Sequence, residues 1–336
     1  TEALPYTLIM AAGTYSKDNN GEADTGNTLS QSYVTIVGAD DHTIGSNSTT
    51  TLIDGENATS WIKAFRITGS NVTIKGVSIT KFLATGGYGI EITGVNAATT
   101  GNEVVNCKIF SNDTGIEITS SSAFKILGCE IYSNSTDGLN VSSSGTEGVI
   151  RNNTIHSHQG TDADGIYVLN CGPAIKRNKI YDNKTGIRVR SDSSTSDASP
   201  NIRNNVIYEN TTPIMNYGIL VEGFDGTANP TIYHNSLDGG SGDGIALERT
   251  NGAIAPAIKY NIITHFDTVG EVPSVGIDGA AGSTCSPDYN DLWGNTANLG
   301  GECDTGAGDN NIDADPLNGQ AGPLPSNSPC VNAILT

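Results

Sequence analysis

Arg188 and Arg190 stand two positions apart in the middle of the chain, with Tyr167 before them and Glu222 after. Two guanidinium groups can neutralise a sugar carboxylate, and a Tyr or Arg can take the proton beside it. Tyr167, Arg188, Arg190 and Glu222 are therefore the catalytic candidates, should the chain be an enzyme. Just upstream, Asp162-Ala163-Asp164-Gly165 could offer oxygen ligands to a metal, Ca²⁺ being the natural choice; the competing reading is an ordinary Asp-Gly turn. Glu222 and Glu248 form a carboxylate pair of the kind glycoside hydrolysis needs. Arg151, Lys176 and Arg203, with Tyr181 and Tyr208, form the glycan-binding candidates, since cations and aromatic rings both suit sugars. For each there is a plainer alternative. The cations can relieve repulsion between acidic turns, and Tyr is a good strand residue. The plainer alternative is preferred for both groups.

The elements that must position these residues come from a repeat. Asn or Cys, any residue, then Ile or Leu is followed by a polar turn and Gly-Ile-x-Val. Cys107-Lys108-Ile109 leads to Gly115-Ile116-Glu117-Ile118, and Asn178-Lys179-Ile180 to Gly186-Ile187-Arg188-Val189. The pattern recurs from Cys129, Asn153, Asn205, Asn235, Asn261 and Asn290 at a spacing of roughly 21 to 32 residues. A repeat of that size holds about three short strands and no helix. One such coil cannot bury its apolar face alone, but stacked coils can. The predicted architecture is all-β, a right-handed parallel β-helix solenoid. Residues 1–283 are assigned to it, with opening coils at 1–80 and regular coils at 81–283; residues 284–336 form a last coil and an irregular cap.

Alternation sorts the faces. Ile79, Ile109, Ile131, Ile155, Ile180, Ile207, Leu237 and Ile263 are expected in one inward column. The outward positions of Gly-Ile-x-Val read Glu91 and Thr93, Glu117 and Thr119, Asn140 and Ser142, Tyr167 and Leu169, Arg188 and Arg190, Leu220 and Glu222, Ala246 and Glu248. Phe110, Tyr132, His156, Tyr181 and Tyr208 form an outward aromatic column, and His156 and His158 read as exposed strand and turn residues. Asn in the bend is expected to bond neighbouring backbone and its stacked copies.

These repeats resemble the pectate-lyase-like right-handed β-helix superfamily in its generic repeat form. Ala11-Ala12-Gly13-Thr14-Tyr15 is similar to an opening strand of such proteins, and Asp313-Ala314-Asp315-Pro316-Leu317 and Ser328-Pro329-Cys330-Val331-Asn332 to the C-terminal segment of exported members. The resemblance implies an active groove, in those members that are enzymes, on one sheet near the middle. It fixes no activity, because the superfamily includes lyases, hydrolases, epimerases, adhesins and structural proteins. Asn-Thr-Asp, Gly-His-Gly and Arg-Ile-Lys, which polygalacturonases carry, are absent, as is the Asp-Pro-His-Asp or Asp-Pro-His-Glu of mannuronan epimerases.

Bulk properties narrow the partners. With 36 acidic against 17 basic residues and a net charge of −19, the 336-residue chain repels phosphate backbones, so nucleic acid is not an expected partner. No apolar run reaches membrane-spanning length. Eight of the 17 basic residues fall between Arg151 and Arg203. The start at Thr1 without Met is read as a processed, exported protein, secreted or at the cell surface. Cys285 and Cys303 bracket a loop where a cross-link helps most and are assigned a disulfide. Cys107 and Cys129 lie within bonding range in consecutive coils, with bonding or packing left open; Cys171 and Cys330 are expected to be buried. Two functions remain: a structural, adhesive or glycan-binding module, able to associate head to tail into filaments, or a polysaccharide lyase or related enzyme on an anionic polysaccharide. The first is preferred.

Overall fold

The computed structural model describes residues 5–16, 27–39, 51–57, 62–93, 101–119, 123–142, 148–158, 160–161, 163–210, 217–240, 242–266, 274–303 and 310–315. They are all strand, turn and bend. The chain divides into two compact units, Thr1–Tyr167 and Val168–Thr336.

In the first unit the coils contribute their strands to three parallel sheets. The first sheet stacks Tyr6–Ile9, Val34–Val37, Thr73–Lys75, Asn102–Val105, Phe124–Leu127 and Val149–Arg151. The second stacks Gly13–Ser16, Thr51–Asp54, Ser78–Thr80, Lys108–Phe110, Glu130–Tyr132 and Thr154–His156. The third stacks Asn27–Leu29, Lys63–Ile67, Tyr88–Thr93, Thr114–Thr119 and Leu139–Ser142. The second unit repeats the plan. Its first sheet is Ala174–Lys176, Asn201–Arg203, Thr231–Tyr233 and Ala257–Lys259. Its second is Lys179–Tyr181, Val206–Asn210, Ser236–Gly240, Ile262–Phe266 and Asp291–Trp293. Its third is Thr185–Ser191, Tyr217–Gly223, Ile245–Arg249, Val275–Gly279 and Ala297–Gly301. Both are parallel β-helices.

The inward column forms as the alternation dictates. Ile79 pairs with Ile109, Ile109 with Ile131 and Ile131 with Ile155 in the first unit. Ile180 pairs with Ile207, Ile207 with Leu237 and Leu237 with Ile263 in the second. All are at most 1% exposed. The repeat's Gly has a steric cause. A Cβ at Gly186 would stand 2.5 Å from the Gly218 carbonyl oxygen, and one at Gly218 2.6 Å from that of Gly244. Any larger residue would push the coils apart.

The bends are closed by side-chain ladders. In the second unit Asn178, Asn205, Asn235, Asn261, Asn290 and Asn311 follow one another. The backbone N–H and Nδ2 of each of the first five donate to Oδ1 of the next, at 2.8–3.0 Å. Asn205, Asn235, Asn261 and Asn290 also donate back to Ile175, Ile202, Ile232 and Ile258 carbonyls. The residue before several of these Asn is held at positive φ, as at Asn204 (55°) and Tyr260 (58°), which turns the corner. In the first unit Cys107 and Cys129 replace Asn. Their thiols lie 3.6 Å from the Ile74 and Val104 carbonyls, standing in for the amide. Both are buried and free, so they pack without bonding. Cys171 is buried too, and Cys330 lies outside the described residues. Cys285 and Cys303 are bonded as expected.

The two histidines expected to be exposed are not: His156 is half-buried. His158 is fully buried, not an exposed turn residue. It continues a second ladder in which Asn112 N–H and Nδ2 donate to Asn134 Oδ1, and Asn134 N–H to His158 Nδ1 at 3.1 Å. Accepting at Nδ1 places the ring proton on Nε2. Burial drives its pKa down to about 3, so it stays neutral.

Candidate functional site

The outward face of the third sheet carries interacting polar groups in each unit. In the second unit Arg190 is in register with Glu222, and Glu222 with Glu248. The Arg188 guanidinium reaches Glu222 at 3.2 Å. Arg190 instead lays its guanidinium over the Phe224 ring, 4.6 Å from the centroid. Phe224 is 38% exposed. Tyr217 donates its hydroxyl to Glu248 Oε1 at 2.7 Å. Burial, then this bond, pushes the Tyr217 pKa upward, so the phenol keeps its proton. Asp243 accepts the Val275 N–H at 2.7 Å. Burial raises its carboxyl to about 6, the Val275 bond opposing and Asp278 and Glu248 adding to the rise. The sheet thus brings Arg188, Arg190 and Glu222 together, and adds Tyr217, Phe224, Asp243 and Glu248. Of these, the sequence reading gave no role to Tyr217 or Phe224. Leu220 and Ala246 are in outward register but only 1% and 3% exposed, so the face is covered there.

Tyr167 stands half-buried in the strand Asp164–Leu169 of the third-sheet type. Asp164 is buried, with its backbone N–H bonded to Asp137 Oδ1 at 3.0 Å, which is a turn role. Asp162 lies outside the described residues. Among the described residues no group of three or more His, Cys, Asp or Glu could hold a metal.

The glycan-binding candidates fall in the expected columns. Lys176 is in register with Arg203, Arg203 with Tyr233 and Tyr233 with Lys259. Arg203 donates to Tyr233 Oη at 3.0 Å, and Lys259 pairs with Asp288 at 3.3 Å. Arg151 extends the Val149–Arg151 strand, paired with Leu127. Tyr181 and Tyr208 stack at 5.0 Å with planes 10° apart, Lys179 lying over both. Their facing surfaces are spent on each other, and Tyr208 also shares a side-chain hydrogen bond with Lys179. Phe110, Tyr132 and His156 stack the same way at 4.9 and 5.2 Å.

The first unit holds a second constellation on this sheet. Arg66, Glu91, Glu117 and Asn140 are successive register partners on the outward side. Lys63 Nζ reaches Glu91 Oε2 at 2.6 Å and Arg66 Nε at 3.0 Å, so both cations hold one carboxylate. Glu117 is 8% exposed. Burial, then the Glu91 charge, pushes its pKa up to about 7, with Lys63 opposing. Tyr88 lies beside them with Lys63 over its ring, and burial and then Glu117 raise its pKa.

Comparison with known proteins identifies the architecture. No curated protein sequence matches the chain. Among solved structures, the pectate lyase Pel9A superposes with a TM-score of 0.51 at 15% identity, covering 76% of this chain and 70% of its own. The A-module of the Azotobacter vinelandii mannuronan C-5 epimerase AlgE4 gives 0.52 at 16%, covering 92% and 88%. The Dettilon tailspike protein gives 0.56 at 14%, covering 88% and 61%. At these identities the likeness is one of fold. The family described as right handed beta helix region matches residues 23–197, 88–262 and 161–312. Matches over that span, on parallel coils built as described above, show that the chain belongs to the right-handed β-helix family.

Proposed function

We propose that the protein is an extracellular glycan-binding β-helix that holds a polysaccharide against the third-sheet face around Arg188, Arg190, Glu222 and Phe224. The observation that carries this reading is the exposed Phe224 ring with the Arg190 guanidinium stacked on it. Beside it the Arg188–Glu222 pair offers planar donors and acceptors. An aromatic face takes the apolar face of a sugar, and the neighbouring polar groups take its hydroxyls. Two proteins of similar fold are a pectate lyase and a mannuronan C-5 epimerase, each named for a polysaccharide. The Cys285–Cys303 disulfide suits an oxidising, extracellular setting. Arg151, Lys176 and Arg203, with the edges of Tyr181 and Tyr208, are secondary contacts in this reading.

Affinity electrophoresis through gels containing single polysaccharides tests it. At least one polysaccharide retards the protein, and Arg190→Ala with Phe224→Ala abolishes the retardation. A folded double variant that is still fully retarded, or a native protein retarded by none, overturns the proposal.

A second reading, end-to-end association, is favoured by one observation. On the outermost described strand, Tyr6, Leu8 and Ile9 are 65%, 57% and 73% exposed, and its backbone pairs with Val34–Val37 on one side. Strand edges of this kind template pairing with another chain. Sedimentation across a wide concentration range decides; a constant monomeric mass removes this reading.

A further inference from the structure

Four cations on these sheets meet an acid directly opposite them in register: Lys125 with Glu103, Lys108 with Glu130, Arg66 with Glu91 and Lys259 with Asp288. Their charged atoms approach to between 2.6 and 3.3 Å. The first sheet of the second unit breaks this arrangement. There Lys176 and Arg203 are register partners, so two like charges stand one strand spacing apart, about 4.8 Å between backbones. Both side chains point outward and are half-buried. Neither pairs with an acid among the described residues; Arg203 has only the hydroxyl and ring of Tyr233. Its Nε is a buried donor without a hydrogen-bond partner. Arg177 follows Lys176 at the corner, exposed and at a φ of 56°, and has no acid partner either. In a chain of net charge −19, three cations are thus grouped without an acid to balance them. Relief of repulsion between acidic turns does not account for this group. Like charges directly opposite one another destabilise a sheet, a cost that an anion from outside removes. On the same face of the Asn201–Arg203 strand, the half-buried Asn201 carries a buried Oδ1 that also lacks a hydrogen-bond partner, an acceptor open to a hydroxyl.

We propose that Lys176, Arg177 and Arg203 seat the acid groups, carboxylates or sulfate esters, of an anionic polysaccharide. The inference rests on the glycan-binding reading and supplies the ligand class for contacts which that reading leaves secondary; it uses neither Arg190 nor Phe224. The two register partners offer complementary donors. Lys176 brings a compact ammonium with three rotatable N–H groups, and Arg203 a planar guanidinium, one of whose terminal nitrogens is already held by Tyr233. An acid group seated between them accepts from both and cancels their mutual repulsion. The Asn201 Oδ1 takes a neighbouring hydroxyl, which suits a sugar acid better than a bare anion or a phosphodiester backbone. The rest of the acidic chain repels a polyanion, so the attraction is local and depends on salt. The screening length falls from about 10 Å at 0.1 M salt to about 3 Å at 1 M, and exposed charge contacts weaken with it.

Polysaccharides immobilised on an optical sensor test this with the whole chain. Polygalacturonate and alginate present carboxylates, carrageenan and dextran sulfate present sulfate esters, and dextran and galactomannan are uncharged. At least one acidic polysaccharide is expected to bind at about 0.05 M salt and to lose at least about tenfold in affinity at about 1 M. Whichever of the two acidic sets binds identifies the acid group. Lys176→Gln with Arg203→Gln should weaken this binding by at least about tenfold. Lys81→Gln with Lys125→Gln makes the same change in net charge but removes cations already paired with Asp54 and Glu103, and should leave affinity within about twofold. Each variant is checked for fold by circular dichroism. If the Lys176 and Arg203 pair fails to fold, the exposed Arg177→Gln replaces it and should weaken binding on its own. Unchanged affinity in the seat variants, equal losses from the two pairs of substitutions, or single-stranded DNA bound as tightly as any polysaccharide each overturns the proposal. So does a protein that binds only uncharged polysaccharides, which leaves the glycan-binding reading standing. A protein that binds none of the six removes both.

Discussion

Replacing Glu117 by Gln keeps its shape and removes its charge, so the variant isolates the cost of ionising a buried carboxyl. In the folded protein burial and Glu91 raise the Glu117 pKa from 4.5 to about 7. A raised carboxylate pKa means the folded state binds the proton more tightly than the unfolded chain. Below pH 4.5 both states are protonated, and the side chain adds nothing to the pH dependence. Between 4.5 and 7 the unfolded chain has released a proton that the folded protein still holds, so stability falls as pH rises. Above 7 the loss levels off. At about 1.4 kcal/mol for each pH unit of that window, the full penalty is about 3 kcal/mol. Gln carries no such penalty. Urea unfolding at pH 4, 6 and 8 should find the variant within about 0.5 kcal/mol of the parent at pH 4 and about 3 kcal/mol more stable at pH 8. Comparing parent with variant cancels the other titrating groups, except those coupled to Glu117 itself: Glu91, Lys63 and Tyr88. A difference that does not change with pH, or a variant less stable at pH 8, refutes the reasoning.

Ile180→Asp puts a carboxylate into a column with no exposure and should abolish folding; a soluble variant with unchanged Tm counts against the register. Asn235→Ala removes the Oδ1 that accepts from Asn205 N–H and Nδ2, and the amide donated to the Ile202 carbonyl. Buried groups left unpaired cost about 1–3 kcal/mol each, so urea unfolding should show a loss of at least about 3 kcal/mol; a loss below 1 kcal/mol would mean the ladder relaxes or admits water. Cys285→Ala with Cys303→Ala opens a cross-link between residues 18 apart. Loop-closure entropy for a loop of that size gives about 3 kcal/mol, and unchanged thermal unfolding would place the loss in a locally frayed region.

The coil architecture was legible because it is written with period two and repeated. Ile109, Ile131 and Ile155, or Ile180 and Ile207, each occupy the same offset from a bend residue, and parallel stacking turns equal offsets into contacts. The disulfide was legible from its place in the last coil. The site was less so. Gly-Ile-Glu-Ile puts Glu117 on the outer face but does not reveal that the position is covered. The cations that distinguish Glu91 from Glu117 come from Lys63–Ile67, a strand lacking the Gly-Ile-x-Val pattern. Leu220 and Ala246 mislead for the same reason: alternation gives direction, and cover depends on other segments. A finer reading of offsets would have found His158. It follows Ile155 by the same three positions that separate Asn112 from Ile109 and Asn134 from Ile131.

The Asn ladder of the second unit has a sense of direction. From Asn178 to Asn290 each backbone N–H and one hydrogen of each side-chain amide point toward the higher-numbered neighbour, and Asn311, the last rung among the described residues, donates to the Pro287 carbonyl at 2.9 Å. A chain shortened past Asn311 therefore strands two buried donors on Asn290. One whose ladder began after Asn178 would strand a single donor, the Asn205 amide hydrogen given to the Ile175 carbonyl, and leave spare acceptor capacity on Asn205 Oδ1. Orphaned donors are rarer in folded proteins than under-used oxygens. Coils should accordingly be easier to shed from the low-numbered side of the ladder than from the high-numbered side, and whole coils inserted between two rungs should leave every donor its acceptor. The ladder sets a grammar for lengthening and shortening such a solenoid, in which Asn311 serves as the full stop.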